Sequence, residues 1–487
     1  MSFDYLLLTR ALLPEIALVL GALAVLGYDL IAGRQRPAEE RLKASLAIGA
    51  IALIAALVDT VLVGTMDSVY GASLMLDTLA VAARCGVLGL ALITFGIAAG
   101  ARVPRHPAEY VAIILFATTG FTLMAAANHL LVAFAALELA SLSLYILTGY
   151  DKSRPESAEA ALKYFLYGGM ASAFLLFGFS LIFGLTGELE FGAIAIMLAH
   201  TGMSPLLAIA LVMVLVAFGF KAAAAPFHLW APDAYEGAPT PSAALIASAS
   251  KLAGFTLFLR LLWPGLGSVA GGETGTGIGW LAPVALIAGA SMLLGNVAAL
   301  AQSNVRRLLA YSAIAHAGAM LLGVIAAEVT GPGPLLYYAA TYGVAAAGAF
   351  GVIAVIEANG GCQKLTDLIG LGRRSPLLAG CLAVFILSLA GIPPLAGFFG
   401  KFAVFAGAFR SGGLAAPAGW LALLAIALSA VAFYYYLIVL KQALVVTPTA
   451  EPKRIRVPAV TGLTLLVATA LLLLLGAFPS LVLRYFA

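Results

Sequence analysis

Charge is what this chain has least of. Only 10% of its 487 residues are Asp, Glu, Lys or Arg, against 63% hydrophobic, where soluble globular domains carry roughly 25% charged residues. A chain this poor in charge cannot clothe a water-facing surface, so a soluble protein is excluded and an integral membrane protein is expected. Cysteine is scarce too. Cys85, Cys362 and Cys381 are scattered with no CxxC pair, which argues against an iron–sulfur cluster, a zinc site or a disulfide framework. The five histidines (His106, His129, His200, His228 and His316) show no i, i+4 pair, so no metal or haem helix is expected. There is no Walker lysine loop and no GxGxxG at a strand-to-helix turn, and no room for a soluble domain to hold either. Nucleic acid is not an expected partner. The first apolar run lacks a basic leader and a small-residue cleavage site, so it is expected to stay in the protein as a span.

What the chain has in abundance is long apolar runs. Read as stretches of about 17 to 25 residues, they number fourteen, near 12–32, 43–63, 75–99, 108–127, 129–149, 159–185, 205–225, 241–263, 280–301, 305–326, 335–357, 376–409, 417–442 and 457–478. We refer to them as spans 1 to 14. The expected fold is an all-α polytopic membrane protein. Its basic residues are unevenly placed: 17 of the 26 Lys and Arg fall on one set of alternating loops, from Arg34 and Arg36 to Arg454 and Arg456, and three (Arg10, Arg410 and Arg484) on the other. The positive-inside rule then places the basic loops in the cytoplasm and, with an even number of spans, both termini outside.

The remaining six basic residues lie in or at the edge of spans. Four are lysines alone in oily sequence, Lys163, Lys221, Lys251 and Lys401, and Glu138 sits in the middle of span 5. Charges at membrane depth cost several kcal/mol each, so a file of them is expected where protons or ions move. Glu138, Ser141 and Tyr145 share a helical face, giving a carboxylate with hydroxyl neighbours able to order water; the plainer reading is a structural ion pair. Lys221 is the natural counter-ion. An amine beside a carboxylate is held charged, and one stripped of that partner releases its proton more readily, so movement of Glu138 relative to Lys221 would gate a proton. Lys251, midway along span 8 with no local acid, reads as a relay site. Lys401 would continue the relay, unless it snorkels outward, and the same rival holds for Lys163 at the start of span 6. His228 and His316, which exchange protons near neutral pH, could join the lysines through water. Arg84 is expected to pair structurally with Asp77.

Two segments are faintly related. Lys163 to Gly168 compares with Leu336 to Thr341, Asn128 with Asn304, and Lys221 with Lys401, at offsets of 173, 176 and 180 residues. A duplicated unit of five spans (spans 4–8 and 9–13) would enter the membrane upside down in its second copy, the inverted-repeat plan of many transporters. The corresponding divisions are 1–107 (spans 1–3), 108–264 (first bundle), 279–443 (second bundle) and 444–487 (span 14). Each copy has one span interrupted by proline, at Pro226 with Pro232 and at Pro393 with Pro394. Proline frees a carbonyl, and such breaks are tolerated at membrane depth where the freed groups line a cavity or meet a partner. Two broken helices are therefore expected.

Several stretches carry a resemblance. Leu13-Pro14-Glu15-Ile16, Leu137-Glu138-Leu139-Ala140-Ser141-Leu142, Phe220-Lys221 through His228 and Trp230-Ala231-Pro232-Asp233, Glu236 to Pro241, Ser250-Lys251-Leu252-Ala253-Gly254-Phe255, Arg307 to Ser312 with His316, and Gly391-Ile392-Pro393-Pro394 through Lys401 together resemble the antiporter-like subunit N of bacterial NADH:quinone oxidoreductase, respiratory complex I. The resemblance covers nearly the whole chain. It implies fourteen spans, two inverted five-helix bundles and a proton-translocating unit without redox chemistry, with Glu138, Lys221, Lys251 and Lys401 at the family's span 5, broken-helix, span 8 and span 12 positions. It further implies the bacterial inner membrane, other membrane-arm subunits of complex I as partners, and NADH, FMN, iron–sulfur clusters and quinone on other subunits. Lysine at 401 and an end soon after span 14 favour subunit N over its relatives in the complex, while the bulky Leu252 after Lys251 departs from the family's habit. A subunit of a multisubunit cation/proton antiporter would share fold and lysines; a purely anchoring membrane subunit would need neither Glu138 nor Lys221.

Overall fold

The computed structural model describes residues 5–69, 73–102, 104–271, 279–361, 363–448 and 453–486; Cys362 lies outside the described residues. Among the described residues, thirteen helices are long and apolar enough to cross a membrane. They are Leu13–Gly33, Ala38–Val63, Thr78–Ala98, Pro107–Ala126, Leu130–Thr148, Pro155–Thr186, Pro205–Ala222, Thr240–Gly265, Leu281–Leu300, Val305–Thr330, Gly333–Ala358, Pro417–Val445 and Ala459–Ala477. Two shorter halves, Pro376–Ala390 and Ala396–Arg410, make span 12. In lipid every backbone group must find an internal partner, which is why the crossings are helical. Proline begins many of them, at Pro107, Pro155, Pro205, Pro376 and Pro417, where its missing N–H costs nothing.

The two copies are legible as local structures that recur at opposite ends of the bundle. On the first, the chain entering span 5 pairs with the segment after span 6: Leu130 N–H donates to Leu189 O at 2.9 Å and Phe191 N–H to Asn128 O at 3.0 Å. On the second, the chain entering span 10 pairs with the segment after span 11, Val305 N–H to Gln363 O at 3.1 Å and Leu365 N–H to Ser303 O at 2.9 Å. Spans 5 and 10 start at opposite faces of the bundle, so the motif is inverted. A close backbone approach recurs as well. A Cβ on Gly120 would stand 2.6 Å from the Ala140 nitrogen, and one on Gly295 2.5 Å from that of Ala315. Without a hydrophobic drive between helices in lipid, such small-residue contacts supply the packing.

Burial orders the spans. The apolar windows of spans 8, 10 and 11 are 100%, 94% and 94% buried, against 33% for spans 1, 2, 6, 9 and 14. The centre of the molecule is therefore formed by the spans that carry Lys251 and His316.

Four features depart from the sequence expectation. Span 8 is itself divided at Ser248 into Thr240–Ala247 and Ala249–Arg260, so three crossings are interrupted rather than two. A small antiparallel hairpin, Met66–Val69 with Leu74–Leu76, interrupts the all-helical pattern, and an apolar helix, Phe191–Thr201, follows span 6. Arg84 does not pair with Asp77. It binds Glu15 on span 1 at 2.9 Å, both side chains buried, while Asp77 caps the start of span 3 and binds Arg260.

Candidate functional site

The first break begins where Ala223 takes a left-handed conformation (φ 57°) and the second at Gly391 (φ 83°). Each ends a half-helix whose last carbonyls lack helical donors, and in each copy a lysine amine fills the gap. Lys251 Nζ donates to Ala222 O at 2.8 Å and to Ala313 O at 3.1 Å, tying span 8 to the first break and to span 10. Lys401 Nζ donates to Leu389 O at 2.9 Å and Ala390 O at 3.0 Å. Both amines sit at the C-terminal, partly negative end of a half-helix dipole. Lys221 and Lys401 are consequently not equivalent residue for residue: Lys221 lies two residues before its left-handed turn, Lys401 ten residues after its own.

Lys221 is buried and donates to Ser141 Oγ at 3.1 Å, with its amine 5.8 Å from the centre of the Phe121 ring. Ser141 is one helical turn from Glu138, and Glu138 accepts a hydrogen bond from Ser172 on span 6. Among the described residues Glu138 makes no ion pair with Lys221; the amine is on the Ser141 hydroxyl and the carboxylate on that of Ser172. Tyr145, on the same face, has a buried hydroxyl with no protein partner.

On the other side of Lys251, one turn beyond Ala313, His316 is held by two phenols: Nδ1 meets Tyr338 Oη at 2.7 Å and Nε2 meets Tyr436 Oη at 3.1 Å. Tyr436 also bonds Ser312. His316, Tyr338, Asn296, Tyr435 and Lys401 line a cavity of about 30 Å³, above the roughly 10–15 Å³ a water needs. Polar groups therefore follow one another from Glu138 to Lys401 across both copies. The phenols and Ser312 escaped sequence reading; the Tyr434-Tyr435-Tyr436 run and the Tyr337-Tyr338 pair were the available signal, indistinguishable in sequence from packing aromatics.

His228 and Lys163 lie off this path. His228 is buried in the first break and bonds none of the lysines, its Nδ1 having no protein partner. Lys163 joins a cluster at the face that carries the basic loops, bonding Glu159 at 2.6 Å and Asp233 at 2.7 Å. Arg307 reaches Asp233 at 2.6 Å and Glu236 at 2.8 Å, and Asn304 donates to Glu236 at 2.7 Å. Partial burial pushes the Asp233 carboxyl up, but the bonds from Lys163 and Arg307 outweigh it and hold the group below its ordinary value. Beside this cluster Arg306 binds Glu357, which also accepts from Thr240 at the start of span 8. The short helix after the first break, Trp230–Gly237, is thereby fixed to both copies. Its two acids, three residues apart on one helical face, were the sequence sign of such a junction. Among the described residues, no three His, Cys, Asp or Glu side chains gather to hold a metal.

Two inverted five-span units, with broken helices whose carbonyls are met by lone lysines, define an antiporter-like membrane subunit. Residues 127–429 match the family described as NADH:quinone oxidoreductase/Mrp antiporter, TM. The chain is 46% identical to NADH-quinone oxidoreductase subunit N 2 of Acidobacterium capsulatum over 98% of each chain. It is 41% identical to subunit N of Heliobacterium modesticaldum, over 78% of this chain and 77% of that one. The protein belongs to this family, in its NADH-quinone oxidoreductase subunit N branch. Its structure is similar to a chain of respiratory complex I from Thermus thermophilus with bound aureothin (TM-score 0.81, 34% identity, 97% of this chain and 100% of that one). A chain of the Mrp complex from Dietzia sp. DQ12-45-1b shares the fold (TM-score 0.82, 22% identity, 98% and 96% covered).

Proposed function

We propose that this chain is a proton-translocating membrane subunit of an NADH:quinone oxidoreductase, free of redox chemistry itself, that converts quinone reduction elsewhere in the complex into proton movement across the membrane. The observation that carries this reading is the series of buried polar groups from Ser141 and Lys221 by way of Lys251 to His316 and Lys401, in which, among the described residues, the lysine amines bond neutral oxygens rather than carboxylates. NADH, FMN, iron–sulfur clusters and quinone belong to other subunits, and the neighbours are other membrane-arm subunits. The basic loops face the cytoplasm of a bacterial inner membrane, with both termini outside. The functional divisions are residues 1–107, the bundles 108–264 and 279–443, and the closing segment 444–487.

In this reading Lys251 loads from the cytoplasm, its proton passes by way of His316, Tyr338 or Tyr436 and cavity water to Lys401, and expulsion follows when Glu138 closes on Lys221. The arrangement seen, with the amine and the carboxylate each on its own serine hydroxyl, is the open state of that pair. A carboxylate moving toward Lys221 favours the charged amine there and, across Ala222, opposes a second charge on Lys251. His228 is a side branch reached through water at the first break, and Lys163 exchanges protons at the cytoplasmic rim while bracing Asp233.

Lys251→Met in the assembled complex tests this. NADH-driven proton uptake into sealed vesicles should fall to the level of an uncoupled control while the complex still assembles; unchanged flux would count against the relay. The shared fold keeps one second reading alive, a subunit of a cation/proton antiporter. NADH-driven quinone reduction by the purified native assembly separates the two.

A further inference from the structure

A cavity of about 830 Å³ opens on the face of the bundle that carries the basic loops, and none of the relay residues line it. Its rim is cationic: Arg102 and Arg105 come from the connection between spans 3 and 4, and Lys152 and Arg154 from that between spans 5 and 6. The acids that line it are largely engaged. Glu357 is bound by Arg306 and Thr240, Asp151 accepts from the backbone and hydroxyl of Ser153, and Glu109 lies 3.8 Å from His106. Arg154 stands 3.8 Å from Glu156, and Arg102 donates to a backbone carbonyl. Among the described residues Arg105 and Lys152 have no ion-pair partner, so the rim holds cations in excess. Spans 4 and 6 also begin there, at His106 and Arg154, neither end capped by a side chain, and the positive ends of their dipoles reinforce the field.

The wall beneath the rim is apolar. Leu42, Ala98, Ile146 and Ala354 line it, and Ile146, on span 5, is 55% exposed, so on that side the cavity borders hydrocarbon. A basic rim over an apolar wall at the membrane surface has the chemistry of a lipid headgroup pocket. We propose that this cavity binds the phosphate of an anionic phospholipid, with Arg102, Arg105, Lys152 and Arg154 around the phosphate oxygens and the acyl chains leaving past Ile146. Bound there, the lipid ties the two basic connections to Thr240 and Pro241, the start of the span that carries Lys251.

The test uses the purified complex in phosphatidylcholine nanodiscs with a trace of phosphatidylglycerol bearing a photoreactive headgroup. Label should appear on the 99–106 and 149–154 connections. Unlabelled phosphatidylglycerol should compete it away, and additional phosphatidylcholine should not. In an Arg105→Glu, Lys152→Glu double variant, labelling should drop about tenfold or more, since each surface cation near anionic lipid contributes roughly a factor of five. Competition by millimolar inorganic phosphate without competition by unlabelled phosphatidylglycerol would assign the site to free phosphate and overturn the proposal. Labelling unaffected by the double variant, or competed equally by phosphatidylcholine, would overturn the proposal. Should the variant fail to assemble, the competition on the unmodified complex decides alone.

Discussion

Inside the membrane this protein uses its two cations differently. Arginines are paired with acids: Arg84 with Glu15, Arg260 with Asp77 and Arg306 with Glu357. The deep lysines meet only neutral oxygen, Lys221 a hydroxyl and Lys251 and Lys401 carbonyls. The division follows from chemistry, because a guanidinium never deprotonates in a protein whereas a desolvated ammonium does. In the proposed relay, fixed charge serves architecture and exchangeable charge stands where a proton has to come and go. Lys251→Arg should therefore keep the charge and lose the function, with the proton yield per NADH oxidised falling as far as in Lys251→Met; full pumping by the arginine variant would show that charge alone suffices. The structural pair makes the opposite prediction. Glu15→Ala leaves Arg84 buried without its acid and should destabilise the protein by about 3–5 kcal/mol, whereas Glu15→Leu with Arg84→Met should cost much less. Thermal unfolding in detergent distinguishes the two.

At the scale of elements, the breaks turn ordinary helices into carriers of ligands for the amines. Their geometry depends on one left-handed residue each, and the two copies fill that position differently, with Ala223 and with Gly391. Gly391→Ala imposes about 1–2 kcal/mol of backbone strain and puts a methyl 2.9 Å from Lys401 Cδ, so both the unfolding temperature and pumping should fall. Ala223→Gly relieves the same strain in the first copy and should leave both intact. If the first substitution were harmless and the second damaging, Gly391 would not be the residue that fixes Lys401. The sequence announced these breaks through Pro226 and Pro393-Pro394, since proline's lost donor is a local fact. It did not announce the break at Ser248, where no proline marks the interruption, and it matched Lys221 to Lys401 because spacing along a chain says nothing about where a long side chain folds back. Arg84 was given the wrong acid for a related reason. Asp77 is near in sequence, but the partner of a buried cation is decided by helix packing, which brings Glu15 from span 1.

For the whole molecule, inversion brings the two halves together at their most buried helices, and Lys251 lies at the join, bonded at once to the first break and to span 10 of the second copy. The helical crossings were readable from hydropathy, because the bilayer acts on each segment separately. The phenols around His316 were not, since a tyrosine that only packs and one that hydrogen-bonds a buried histidine are written alike. The ion cluster around Asp233 lies at the edge of this join and holds the post-break helix against both copies, so the central file is framed by fixed charge. The protonation of Lys251 during turnover is the quantity everything else depends on, and it can be observed in the complex labelled with ¹⁵N-lysine, by infrared difference spectroscopy on addition of NADH. An isotope-sensitive ammonium band that is present in the unmodified complex and missing in Lys251→Met is the expected result; a difference spectrum that Lys251→Met leaves unchanged would contradict a proton carried by this amine.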